Sequence, residues 1–251
     1  MEKKKTVILL HGFGEDHKVF KSQLDMLSAF YDVFAPDLPG SGALSKAAIP
    51  MENASINLLA EWVNSFLMDR GIESCIMFGH SMGGYVTLAF AEKFPEKLEA
   101  IGLIHSTAYA DSEEKKNTRE KAIVFIKEKG GYLFLKTAIP NLFGAVFKQQ
   151  SPQKVQMLLE ESRRFKDDWL VWYYRAMINR PDRSNVLKQA KVQVLIVAGD
   201  EDMAAPVTDL SAQAALPEIC HFHLLKETGH MGMLEREAAM NEILLNFMST
   251  I

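Results

Sequence analysis

The segment Gly79-His80-Ser81-Met82-Gly83-Gly84 offers the chain's strongest chemistry. A serine flanked two positions away on each side by glycine, directly after the apolar run 75–78 and before a helical pattern, fits a nucleophile elbow. Such a turn lifts the hydroxyl above the strand ends, and the free N–H groups of the following helix favour negative charge there. Serine is a weak nucleophile at neutral pH, so it needs a base and a group that orients the base. Two later segments supply them. An apolar run ends in Gly199-Asp200-Glu201-Asp202 with Pro206 beyond, and the next one leads to Thr228-Gly229-His230-Met231-Gly232. The order Ser, Asp, His is that of a hydrolytic triad on a strand-helix scaffold. Asp200 and Asp202 compete for the acid role. Each of these aspartates alone is what a solvated turn would carry, and it is their conjunction with the serine and histidine that points to acyl transfer.

The elements that must position these residues follow from the hydrophobic periodicity. Short β-branched runs at 6–10, 31–35, 74–79, 100–105, 192–198 and 221–225 read as strands. Between them, apolar residues recur at helical spacing: Phe20, Leu24 and Leu27, then Ile56, Leu59, Val63 and Phe66, then Val86, Ala89 and Phe90 before Pro95. A last helix is expected from about Leu234 to Met248. This alternation implies an α/β fold with a mainly parallel sheet flanked by helices. Residues 107–185 interrupt it with helical patterns at 122–128, 155–165 and 169–178 and no convincing strand. They are expected to form an inserted helical cap, a mobile lid over the strand ends, on a core made of 1–106 and 186–251.

With these motifs in hand, the chain resembles the α/β-hydrolase superfamily, and the resemblance covers nearly everything outside the cap. The family's pattern after the fifth strand matches Gly199, Asp202 and Pro206, so the resemblance makes Asp202 the triad acid and His230 the triad base. His11-Gly12-Phe13-Gly14 at the end of the first strand resembles the family's oxyanion segment. It implies an oxyanion hole from the backbone N–H groups of Phe13 and Met82. Asp37-Leu38-Pro39-Gly40-Ser41-Gly42 matches a structural loop of the family. Glu235 also fits, whereas Glu237 stands where the family often has proline. Serine at the elbow argues against the branches that use an aspartate nucleophile.

Composition excludes other classes. The 28 basic and 32 acidic residues leave a formal charge of -4, without the basic excess that nucleic-acid binding requires. Two cysteines are too few for a disulfide framework and suit a reducing compartment. No signal-peptide pattern and no run of ~20 apolar residues is present, so a cytoplasmic protein without a membrane span is expected. No G-x-G-x-x-G follows the first strand and no phosphate-binding G-x-x-x-x-G-K motif occurs, and no cofactor is expected. His221 and His223 alternate on one strand face but lack a third ligand, so no metal site is expected either. Residues 111–190 hold 16 basic against 10 acidic side chains. A solvated helical surface is the preferred reading of that excess, ahead of a docking face for an acidic partner.

The expected function is that of a serine hydrolase, a carboxylesterase acting on a small-molecule ester or thioester through Ser81, His230 and Asp202. The same triad also serves carbon–carbon bond hydrolases and lyases. A non-catalytic ligand receptor is the rival from outside enzymes. His105, at a strand end, and the cap aromatics Phe143 and Trp169 are the first choices for the substrate pocket.

Overall fold

The computed structural model describes residues 4–45 and 51–251; 1–3 and 46–50, which fall in the expected core segment 1–106, lie outside it. Strands β1 (Thr6–Leu10), β2 (Asp32–Phe34), β3 (Cys75–His80), β4 (Leu98–Ile104), β5 (Gln193–Gly199) and β6 (Cys220–Leu225) form one sheet. All neighbours pair in parallel, in the order β2-β1-β3-β4-β5-β6. The inner strands β1 and β3 are buried at every position, as a sheet covered on both faces requires. The edge strands β2 and β6 are only half-buried.

Parallel pairing forces each connection to cross over the sheet, and helices make the crossings. Before β4 these are α1 (Lys21–Leu27), α2 (Ile56–Met68) and α3 (Met82–Lys93). Between β4 and β5 come α4 (Glu113–Lys129), α5 (Gly131–Ala138), α6 (Ala145–Gln150), α7 (Pro152–Glu161), α8 (Asp167–Ile178) and α9 (Ser184–Lys188), with no strand among them. After β5 come α10 (Val207–Gln213), α11 (Gly232–Glu235) and α12 (Glu237–Met248). The last helix expected from the sequence is thus two helices, broken at Arg236, whose backbone (φ -132°, ψ 53°) is not helical. Helix α1 packs on α12, and α2 on α3. The ring of Phe78 on β3 meets that of Phe247 on α12 edge-on at 5.9 Å, joining sheet and helix layer.

The chain steps outward from β1 to β2 and then returns to the other side of β1 as β3. The loops after β1 and β3 therefore diverge and open a crevice at their carboxyl ends, where open α/β sheets bind ligands. Side-chain hydrogen bonds tie α8 and Arg183, just before α9, to the rest of the chain. Tyr173 Oη on α8 donates to the Pro39 carbonyl, and Trp169 Nε1 donates to the Ser45 carbonyl at 3.1 Å. The buried Arg183 donates Nε to Glu92 at 3.0 Å and Nη2 to Asn57 Oδ1.

Candidate active site

Ser81 sits between β3 and α3 with φ 50° and ψ -115°, a region that a side-chain-bearing residue enters only when its surroundings insist. The surroundings here are two glycines at contact distance. A Cβ on Gly79 would lie 2.3 Å from the Gly83 backbone, and one on Gly83 would lie 2.1 Å from the Leu10 carbonyl oxygen. Only glycines let strand, turn and helix close this tightly, which is why the spacing around the serine matters. The turn is tied down by Ser81 N donating to the Ile104 carbonyl at 3.0 Å and by Ser106 Oγ donating to the Ser81 carbonyl at 2.7 Å. The N–H groups of Phe13 and Met82 have no hydrogen-bond acceptor among the described residues.

His230 and Asp202 are brought together from the loops after β6 and β5. His230 Nδ1 donates to Asp202 Oδ2 at 2.8 Å, which leaves Nε2 as the nitrogen available to a partner. Asp202 Oδ1 accepts from the amides of Ala204 (2.8 Å) and Ala205 (2.9 Å). Burial alone would raise this carboxyl, but His230 and His105 outweigh it and hold the group well below the usual carboxylate range. Asp200 points elsewhere: its Oδ1 accepts from Thr228 N at 3.2 Å and holds the turn. His105 Nδ1 also reaches Asp202 Oδ2, at 3.1 Å, while its Nε2 is buried without a partner. Burial pushes the His105 ring down to about 4. The ligand-type atoms of His105, Asp202 and His230 lie close enough to surround an ion, but both ring contacts have hydrogen-bond lengths and satisfy the acid as they stand.

A second buried pair sits beneath the serine. His80 Nε2 donates to the His230 carbonyl at 2.9 Å, and its Nδ1 meets Glu15 Oε2 at 3.0 Å. Burial alone would neutralise both, yet their mutual attraction raises His80 and lowers Glu15, the pattern of an ion pair. The same Glu15 oxygen accepts from Gly12 N at 2.8 Å, so it also holds the loop that carries Phe13.

Ser81 and His230 share a cavity of about 160 Å³, with Phe13, Glu15, Lys115 and Arg119 among its other walls. The three positions expected from sequence to line the pocket are placed elsewhere. His105 is fully buried behind Asp202. Phe143 stacks on Phe147 at 5.3 Å, and Trp169 is buried against Trp172 and the loop after β2. Conversely, Glu15, Lys115 and Arg119 went unnoticed in the sequence. For Lys115 and Arg119 the signal was their i, i+4 spacing, which places two cations on one face of α4.

Residues 7–243 match the profile of the alpha/beta hydrolase family. The chain belongs to that family. This alpha/beta hydrolase is 26% identical over 251 residues to the dihydrolipoyllysine-residue acetyltransferase component of the acetoin cleaving system of Cupriavidus necator. The match covers 95% of the chain but only 62% of that relative, so the chain spans less than two thirds of its length. It is 25% identical over 259 residues to a 2-hydroxy-6-oxononadienedioate/2-hydroxy-6-oxononatrienedioate hydrolase of Paraburkholderia phymatum, covering 98% of the chain and 87% of the relative. In fold it is similar to an esterase from Thermogutta terrifontis, with a TM-score of 0.92 at 23% identity, covering 99% of the chain and 90% of the esterase. No helix among the described residues of this alpha/beta hydrolase is long and apolar enough to cross a membrane.

Proposed function

We propose that this alpha/beta hydrolase is a serine hydrolase of small carboxylic esters. The observation that carries the reading is the shared cavity: Ser81 and His230 both line it, and His230 is held through Nδ1 by Asp202 at 2.8 Å. In this reading Ser81 Oγ attacks the ester carbonyl carbon while His230 Nε2 takes the hydroxyl proton. The carbonyl electron pair moves onto oxygen, which the Phe13 and Met82 amides stabilise; one such donor is typically worth ~2.7 to 4 kcal/mol. Collapse of that intermediate breaks the bond to the alcohol oxygen, which leaves with the proton from His230. Water then repeats the sequence, releasing the acid and restoring Ser81. Asp202 keeps the ring in the tautomer with Nε2 free and stabilises its charged form.

In the same reading 107–185 is a cap whose helix α4 provides one wall of the pocket. A cavity of about 160 Å³ is smaller than the ~300 to 1,000 Å³ of sites for drug-sized ligands, which favours short acyl and alcohol groups. The test is labelling by a small fluorophosphonate and turnover of short esters, each compared in the parent and in Ser81→Ala. Labelling and turnover that both require Ser81 support the reading, and their survival in the variant overturns it.

A further inference from the structure

Lys115 and Arg119 lie one helical turn apart on α4, and both reach the cavity that holds Ser81 and His230. The charges around them do not balance. Asp111 is buried, and its two oxygens are divided between Arg119 Nε at 2.6 Å and Arg180 Nη1 at 2.9 Å. One carboxylate thus serves two guanidinium groups. The Arg180 guanidinium lies 3.9 Å from the centre of the Tyr85 ring, itself part of the cavity wall. Lys115 Nζ donates to the Ala204 carbonyl at 2.7 Å and makes no ion pair among the described residues. Its neighbours Lys116 and Glu113 pair with each other.

The wall does carry an acid, Glu15, whose Oε2 already accepts from Gly12 N and meets His80, with which it forms an ion pair. Asp202 lies behind His230 and is filled by two histidines and two amides. Neither is ion-paired to Lys115 or Arg119 among the described residues. Two cations face a small cavity, Arg119 sharing its one carboxylate with Arg180 and Lys115 having none among the described residues, and such groups are costly to desolvate unless an anion arrives. A carboxylate is the anion whose geometry a guanidinium and an ammonium meet with charge-assisted hydrogen bonds.

We infer that Lys115 and Arg119 form a carboxylate subsite, and that the substrate is a short ester bearing a second, free carboxylate. This rests on the Ser81 reading above and narrows its substrate class. The volume of the cavity limits the chain between the ester carbonyl and the free carboxylate to a few carbons. The carboxylate belongs to the acyl part or to the alcohol part, and substrates of each kind separate the two.

The experiment compares kcat/KM in two matched pairs at low salt. Monoethyl succinate against ethyl butanoate places the charge on the acyl side; acetoxyacetate against ethyl acetate places it on the alcohol side. The parent enzyme is expected to favour the anionic member of at least one pair by about tenfold or more. In Lys115→Met that ratio falls, in Lys115→Glu it inverts, and in Lys115→Arg it recovers. Parent ratios at or below one in both pairs overturn the subsite even if no variant folds. A ratio unmoved in a folded Lys115→Met protein overturns it as well. Failure of the hydrolase reading looks different: no ester is cleaved and no fluorophosphonate is taken up. In that event calorimetry of monoethyl succinate and acetoxyacetate on the Ser81→Ala protein still reads the subsite. Binding that needs Lys115 supports it, and absence of binding overturns it.

Discussion

His105 Nδ1 donates to Oδ2 of Asp202 at 3.1 Å, the same oxygen that holds His230. The ring can donate from Nδ1 in either protonation state, and burial holds His105 down at about 4 so that it stays neutral well below neutral pH. The unfolded chain binds a proton at this ring near ~6.5, so between that pH and about 4 the unfolded state holds more protons. Stability contributed by His105 is therefore complete above pH ~6.5 and lost as pH falls toward 4, amounting to about 3 kcal/mol over the window. His105→Asn keeps a donor and tolerates the left-handed backbone (φ 49°) at this position. Urea unfolding between pH 7 and 4.5 should show a shallower acid loss in the variant than in the parent. Equal slopes would mean that this histidine is not the group that titrates.

Asp202 and Asp200 are both close to the strand end, but only Asp202 touches His230. Asp202→Asn should cost as much as ~10⁴-fold in kcat, because the histidine is then favoured in the wrong tautomer. Asp200→Asn loses one acceptor for Thr228 N and should change kcat far less. Steady-state rates on one short ester rank the two, and the reverse order would move the acid to Asp200.

Ser81 has positive φ, and such a conformation costs on the order of 1 to 3 kcal/mol for a residue with a side chain. Ser81→Ala should remove at least ~10³-fold of ester hydrolysis while keeping that strain. Ser81→Gly should be equally inactive yet no less stable than Ser81→Ala, since glycine is at ease there. Chemical denaturation of the two inactive proteins provides the comparison, and a clearly weaker Ser81→Gly would deny that the elbow is strained.

Gly83→Ala should fail for a packing reason alone. The new methyl would sit 2.1 Å from the Leu10 carbonyl oxygen, backbone that belongs to the sheet and cannot step aside. Overpacking of this kind costs about 1 to 3 kcal/mol, and displacing the elbow should also reduce fluorophosphonate labelling of Ser81. A variant with parental melting temperature and labelling rate would show that the helix can shift to make room.

Much of this molecule was legible from residue types because its information is local. The six strands emerged within a residue or two, since strands covered on both faces are short unbroken apolar runs, as β1 with Val7 to Leu10 illustrates. That Asp202 would meet His230, and that Ser81 and His230 would share one cavity, was legible because glycines and strand ends frame them. Helix α4 shows where the reading stopped. Its lysines and arginine are what any solvated helix carries, and only the tertiary fold reveals that Lys115 and Arg119 turn inward while Lys116 does not. Phe143 and Trp169 misled for the complementary reason: large aromatics look suited to a ligand, but here Phe143 stacks on Phe147 and Trp169 packs on Trp172 and Tyr173. The break at Arg236 had no proline or glycine to announce it.

Strands β4 and β5 are hydrogen-bonded neighbours, yet residues 105–192 of the chain separate them. Every other pair in the sheet also joins through a crossover, so this polypeptide must commit chain entropy to distant partners before any contact rewards it. Refolding should accordingly be slow for a chain of this size. The four strands β1, β2, β3 and β4 draw on the first 104 residues and can assemble while a ribosome is still delivering the rest. Until β5 arrives, Ala100 to Ile104 stand as an uncovered apolar edge, and that edge is where a nascent or thermally loosened molecule is most exposed to aggregation.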